Sequence, residues 1–386
     1  MARGQRLELM PFLLSQLIEA FRWMGALAVV GLHATNLFLN QADIRSASHA
    51  APVYLWWFLT GFESGHQAVV GFFVLSGYLV GGAVLSRIRE PRPFLKDYYL
   101  HRFTRVYVVL IPTLLLTLLL DNLGRHLFTA GALYEGAMFK GHFSGSLFLT
   151  SLLNLQGIYF DFFGTNGPLW SLACEFWYYI TFPLLVMLFA KHYPSKIRLM
   201  SFALGLLLFF FLLAPESWFG FGFLLWGMGA FATLIPRAFL RSRVLSLALL
   251  ACVLILIRLL VRGPAIEAYP LISRCADVLA AGAFINLLLT FRDGPQEGFR
   301  ILESHKHKLF ADFSFSLYAV HMPLLIFMRS AADQIFGESR VLQLAQLENY
   351  FLAISVIFIV VFSAYIFSQL TEARTYALRA RLKQFF

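Results

Sequence analysis

Charge is what this sequence has least of. Asp, Glu, Lys and Arg make up only 13% of its 386 residues, about half the share of a soluble domain. A water-facing surface cannot be covered from that supply, so lipid must be the solvent for much of the exterior. No long polar block is present to build a separate soluble domain. Cysteine is nearly absent: Cys174, Cys252 and Cys275 all fall in apolar stretches, without metal-like spacing or an evident disulfide partner. The chain does not open on a short apolar stretch followed by a small-residue cleavage site, so its first helix is expected to be retained. No internal repeat or low-complexity tract is visible, which removes the support that inverted repeats lend to a transporter.

What fills the chain instead is apolar. Hydrophobic residues reach 59%, 42 of them Phe, and the mean hydropathy is +0.71. A spanning helix needs about 20 mostly apolar residues. That length selects ten candidates, near 18–39, 66–86, 103–121, 169–190, 198–213, 218–235, 244–260, 273–291, 309–330 and 349–370. The stretches 53–60 and 146–158 are too short and are expected at the interface. The expected fold class is an all-α membrane protein of about ten transmembrane helices.

Lys and Arg orient it. With the N-terminus inside, the inner segments hold 22 of the 31 Lys and Arg residues, so both termini are expected on the cytoplasmic side. The formal net charge of +10 is then an orientation signal, with anionic membrane lipid or an anionic cytosolic ligand as partner, and not a nucleic-acid footprint. The expected organisation is one transmembrane domain over 1–370 and a basic cytoplasmic tail helix over 371–386, lying on the inner leaflet.

Ionisable groups inside membrane helices are costly and mark function by default. The candidates are Arg22, His33, Glu175, Asp277 and His321, with Asn36 and Asn286 as neutral companions. Arg22 and His33 are eleven residues apart, three turns plus about 20°, so they share a face with a rise of about 16 Å. Asn36 shares it too. Counting from helix ends places His33, Glu175 and His321 at similar depth, roughly 9–14 Å below the outer boundary. A His–Glu pair there suits a general base with its orienting partner. Each of these could also simply tie helices together, and that structural reading is preferred for Asp277. Gly77 and Gly81 form a GxxxG step that points to close helix packing. His305, His307 and Asp161 read as loop residues, and no metal site is expected. Arg102 and Arg105 sit three apart at the inner mouth of a helix. With Arg22 at similar depth they make a phosphate-sized anion site.

These pieces resemble the membrane-bound acyltransferase family 3, the polytopic O-acyltransferases of bacterial glycans, over nearly the whole chain. The resemblance rests on FRWMGALAVVGLH (Arg22, His33), FFVLSGYLV at 72–80, RFTR (Arg102, Arg105), GPLWSLACEFWYY at 167–179 (Trp170, Ser171, Glu175) and FSFSLYAVHMPLL at 313–325 (Ser314, Tyr318, His321, Pro323). A proline that family members often carry soon after the paired arginines is delayed here to Pro112. With no hydrolase-like domain fused, the chain is similar to the stand-alone type.

The resemblance implies transfer of an acyl group, acetyl above all, from cytosolic acyl-CoA to a hydroxyl of an extracytoplasmic glycan or glycoconjugate, at the bacterial inner membrane. The acceptor would arrive directly or through a partner protein. It implies CoA phosphates on Arg22, Arg102 and Arg105, and His33 as base with Glu175 behind it; an acyl-histidine intermediate is the competing chemistry. Trp170, Asn36, Tyr318 and His321 are expected around the substrate, Tyr318 or His321 as donors to the oxyanion. A transporter or flippase for a lipid-linked sugar is the rival class, and CoA release separates the two.

Overall fold

The computed structural model describes residues 10–40, 48–130, 133–260, 270–300, 302–304, 306–337 and 347–384. His305 and the basic residues Arg3 and Arg6 lie outside them. Among the described residues the chain is helical, with no strand. The helices are α1 (Phe12–Phe38), α2 (Ala51–Thr60), α3 (Phe62–Ser76), α4 (Gly82–Arg87), α5 (Leu95–Leu127), α6 (Gly145–Leu152), α7 (Trp170–Val186), α8 (Ser195–Leu212), α9 (Phe219–Ala232), α10 (Arg243–Leu260), α11 (Pro270–Asp293), α12 (Lys306–Ala311), α13 (Ser314–Phe336), α14 (Leu347–Leu370) and α15 (Thr375–Leu382).

Eight segments are long and apolar enough to cross a membrane, and the chain is an all-α polytopic membrane protein. All ten expected spans are helical. Two of them, α9 with 14 residues and α10 with 18, are outside those eight. The second span is longer than expected. It starts with α2, bends at Gly61 and continues through α3, a π-helical turn at Gly77–Gly81 and α4. The expected interfacial stretch 53–60 is therefore the first part of this hairpin arm.

α1 is the central helix, packed on α3, α11, α13 and α14. α3 and α9 cross with almost no gap. A Cβ on Gly77 would stand 1.8 Å from the Trp226 carbonyl oxygen, and one on Gly229 would stand 2.0 Å from that of Val74. Each glycine makes room for the other helix's backbone, as the GxxxG spacing anticipates.

Helix ends inside the bundle need partners for their carbonyls, and two buried arginines supply them. Arg329 of α13 donates to the Leu37 carbonyl at 2.8 Å and pairs with Asp333 at 2.9 Å, closing α1. Arg258 of α10 donates to the Trp57 carbonyl at 2.6 Å. Its guanidinium fills the space that a side chain at Gly61 would take, 1.8 Å from an ideal Cβ. A cation at a helix C-terminus is also favoured by the helix dipole.

The tail does not hang free at the surface. After α14, Glu372 turns back into the bundle, where its carboxylate accepts from the Ser316 amide (3.1 Å) and hydroxyl (2.9 Å). α15 then lies against the start of α5, held by Arg379 on Thr104 at 3.2 Å and Lys383 on Asp97 at 3.1 Å.

Candidate active site

A cavity of about 1240 Å³ opens between α1, α3, α7, α11 and α13. His33 and Asn36 of α1, His66 and Gln67 of α3, Trp170 of α7, Trp218 just before α9, Asp277 of α11 and Tyr318 of α13 all line it. Arg22, Arg102, Arg105, Glu175 and His321 do not. Of the expected substrate residues, Asn36, Trp170 and Tyr318 are therefore in the wall and His321 is behind it.

His33 is half-buried and faces His321, with ring centroids 5.2 Å apart and planes tilted by 34°. His321 is fully buried. Its Nδ1 lies 2.7 Å from the Tyr318 carbonyl. A carbonyl only accepts, so Nδ1 carries the proton and Nε2 presents a lone pair. That Nε2 is buried and has no hydrogen-bond partner. An unsatisfied buried acceptor costs about 1–3 kcal/mol, so packing alone does not account for a histidine here.

The turn before α7 is built to hold this region still. Pro323 has no N–H, so the carbonyl of Ala319 four residues earlier loses its helical donor. Asn166 takes its place, donating from Nδ2 at 2.9 Å. Thr165 gives its amide (2.9 Å) and hydroxyl (2.8 Å) to Asp121, a buried carboxylate of α5. Gly164 makes this possible. Its φ is +62, and a Cβ would stand 2.2 Å from the Asp121 carboxylate. The Tyr318 hydroxyl donates to the Pro168 carbonyl at 2.9 Å and meets the Ser171 hydroxyl at 2.6 Å. Its single proton is spent on the turn, so the expected oxyanion role for Tyr318 does not fit; it fixes the start of α7 and hence Trp170.

Glu175 departs from the expected pairing. Tyr179 donates to its carboxylate at 2.5 Å, and none of the hydrogen bonds described for either residue joins it to His33. Four residues past Ser171, it lies about 6 Å further along α7, toward the basic end of the bundle. Tyr179 carries the Arg102 guanidinium 5.7 Å over its ring and meets Ser76 at 3.2 Å. Here too a proline has freed a carbonyl. Pro183 leaves that of Tyr179 without its helical donor, and the Tyr98 hydroxyl fills in at 3.0 Å. The structure thus brings His33 together with His321, and Glu175 together with Tyr179.

The arginines gather at the other end. Arg105 sits 3.6 Å from the Glu372 carboxylate and 5.5 Å over the Phe315 ring. Arg102 has a buried Nε without a partner. Arg22 feels the charges of Arg105 and Glu372, and Arg379 those of Arg102 and Arg105. Four guanidiniums therefore lie within electrostatic reach of one another, and Glu372 pairs with one of them, Arg105. Spacing along the sequence points to Arg22, Arg102 and Arg105; Arg379 and Glu372 join them from the tail, which no local pattern brings to the others.

Sequence reasoning also missed a polar cluster in the cavity wall. His66 meets both oxygens of Asp277 at 2.9 and 3.0 Å, and Gln67 donates to Oδ1 at 2.7 Å. Position 66 stood at the end of an expected span, where a histidine attracts no notice.

Residues 16–371 match the family described as Acyltransferase domain. An uncharacterized protein of Haemophilus influenzae is 32% identical over 153 residues, which is 38% of this chain and 58% of that protein. Acyltransferase MdmB of Streptomyces mycarofaciens is 27% identical over 177 residues, 45% of this chain and 40% of the relative. Peptidoglycan O-acetyltransferase OatA of Listeria monocytogenes is 29% identical over 157 residues, 37% and 23%. Each matched stretch thus covers less than two thirds of the relative's length. No solved structure matches.

Proposed function

The chain belongs to the acyltransferase family matched over residues 16–371, and on that footing we propose that it moves a short acyl group, acetyl first, from acyl-CoA to a hydroxyl of a glycan or glycoconjugate across the bacterial cytoplasmic membrane. The observation that carries this reading is His33 in the wall of a large cavity with His321 packed behind it. It faces one end of the bundle, while the arginines occupy the other. With both termini in the cytosol, the arginines face the compartment that holds CoA and the cavity opens toward the acceptor.

Arg102, Arg105 and Arg22 take the donor's phosphates, as guanidiniums suit that geometry. The acyl thioester then reaches His33 along α1, about 16 Å away. The acceptor oxygen attacks the thioester carbonyl carbon. The new C–O bond forms as the C–S bond breaks, His33 takes the hydroxyl proton and returns it to the departing thiolate, and CoA leaves as the thiol. His321 replaces Glu175 as the partner of His33. Its tautomer is fixed by the Tyr318 carbonyl, and its Nε2 accepts from the His33 ring when that ring carries the transferred proton. Acceptor polysaccharide, periplasmic glycan and a carrier protein that delivers it are all compatible with this route.

His33→Ala is expected to lower CoA release in the presence of acceptor by 10²–10⁴-fold while the protein remains inserted and folded. Arg102→Ala is expected to raise KM for acyl-CoA instead. Normal turnover in the first variant sinks the base assignment, and an unchanged KM in the second sinks the donor site. A purified protein that moves sugar without releasing CoA from acyl-CoA would be a transporter.

A further inference from the structure

We propose that Gln67, His66 and Asp277 form an acceptor-positioning site, which grips a hydroxyl beside the one that reacts and seats the ring that bears it against Trp218 and Trp170. The inference rests on the reading of the cavity as the acceptor's entrance.

Three observations carry it. Asp277 is 1% exposed, yet it accepts from His66 and Gln67 in the wall of the cavity. Because Asp277 can only accept, the Gln67 amide nitrogen must face it, and the amide is locked in one orientation. Its oxygen is consequently the atom left over, and Gln67 Oε1 is buried without any hydrogen-bond partner. A ligand that completes the site must therefore be a donor, an O–H or N–H. Beside it stand two aromatic faces. Trp218 lies 5.2 Å from the His66 ring and 5.8 Å from Trp170, at angles of 74° and 51°. Flat apolar faces next to a lone acceptor fit a saturated ring that carries hydroxyls on its edge and C–H groups on its face. If Asp277 served only to tie α3 to α11, the His66 and Gln67 bonds to it would be explained. The orphaned Gln67 oxygen and the two indoles in the cavity wall would not.

The test uses the full chain in lipid nanodiscs with acetyl-CoA and a panel of methyl hexopyranosides, with acyl transfer followed by mass. For the best acceptor, Gln67→Met is expected to raise KM for the glycoside roughly tenfold, the worth of one hydrogen bond, with kcat at saturation kept within about twofold. The penalty should vanish for one monodeoxy analogue, the one lacking the hydroxyl that Gln67 holds. Should Gln67→Met fail to fold, His66→Gln is the second variant, expected to raise the same KM severalfold by loosening the Asp277 clamp that orients Gln67. Equal penalties on all deoxy analogues, a fall in kcat without a change in KM, or CoA release to water with no glycoside acylated would each overturn the site. No CoA release from the unaltered protein would overturn the acyltransfer reading instead.

Discussion

His321→Met separates a structural histidine from a working one. Methionine is close in volume and adapts to irregular space, so packing is nearly conserved. Two polar changes remain. The substitution removes the buried Nε2 that has no partner, which is worth about 1–3 kcal/mol of relief. It also removes the Nδ1 bond to the Tyr318 carbonyl at 2.7 Å, a loss of about 0.5–1.5 kcal/mol. The sum lies between about 0.5 kcal/mol of loss and about 2.5 kcal/mol of stabilisation. Activity moves the other way. Without the His321 ring, whose centroid lies 5.2 Å from that of His33, the base loses its orienting partner, and a kcat drop of about 100-fold corresponds to about 2.7 kcal/mol of transition-state stabilisation. Scanning fluorimetry in detergent reads the first quantity, and CoA release with acceptor reads the second. A variant that is inactive yet melts at or above the parent's Tm fits the reasoning. A Tm several degrees lower with activity intact would refute it, and His321 would then be a helix tie.

The glycine crossing yields a paired expectation: Gly77→Ala, whose Cβ would meet the Trp226 carbonyl at 1.8 Å, should lose at least 1–3 kcal/mol, whereas Gly282→Ala, with nothing within 4 Å, should be neutral or gain up to about 1 kcal/mol. Thermal unfolding of both in the same detergent checks it, and equal Tm values would contradict the packing argument. Glu372→Gln keeps an oxygen for Ser316 but removes the negative charge 3.6 Å from Arg105; KM for acyl-CoA should fall severalfold in initial-rate measurements, and a rise would mean that Glu372 positions the arginines for the donor.

The spans were legible because apolar length is a direct consequence of bilayer thickness. The Arg22–His33 arrangement was legible because both lie on one helix, where spacing fixes face and depth together. Contacts between helices were not. Counting residues from helix ends placed His33, Glu175 and His321 at one depth, but depth says nothing of direction around each axis. Glu175 turns to Tyr179, four residues away on its own helix, and His321 meets His33. His66 and Asp277 pair across 211 positions, which no local pattern announces. Asp277 accordingly read as a helix tie whose partner had no name, and it is 1% exposed in the bundle. The partners of Pro323 and Pro183 were predictable in kind, since each proline must orphan a carbonyl. Their identity, Asn166 and Tyr98, needed the fold.

The brevity of α9 has a consequence beyond packing. Fourteen residues cover about 21 Å, some 9 Å less than the hydrocarbon thickness. The glycine crossing pins this helix to α3, which favours thinning of the bilayer over sliding of the helix. Trp218, just before α9, lines the cavity. A bilayer thinned beside it would bring headgroups and water toward the cavity. An acceptor of the kind proposed above would then have a shorter descent to His33.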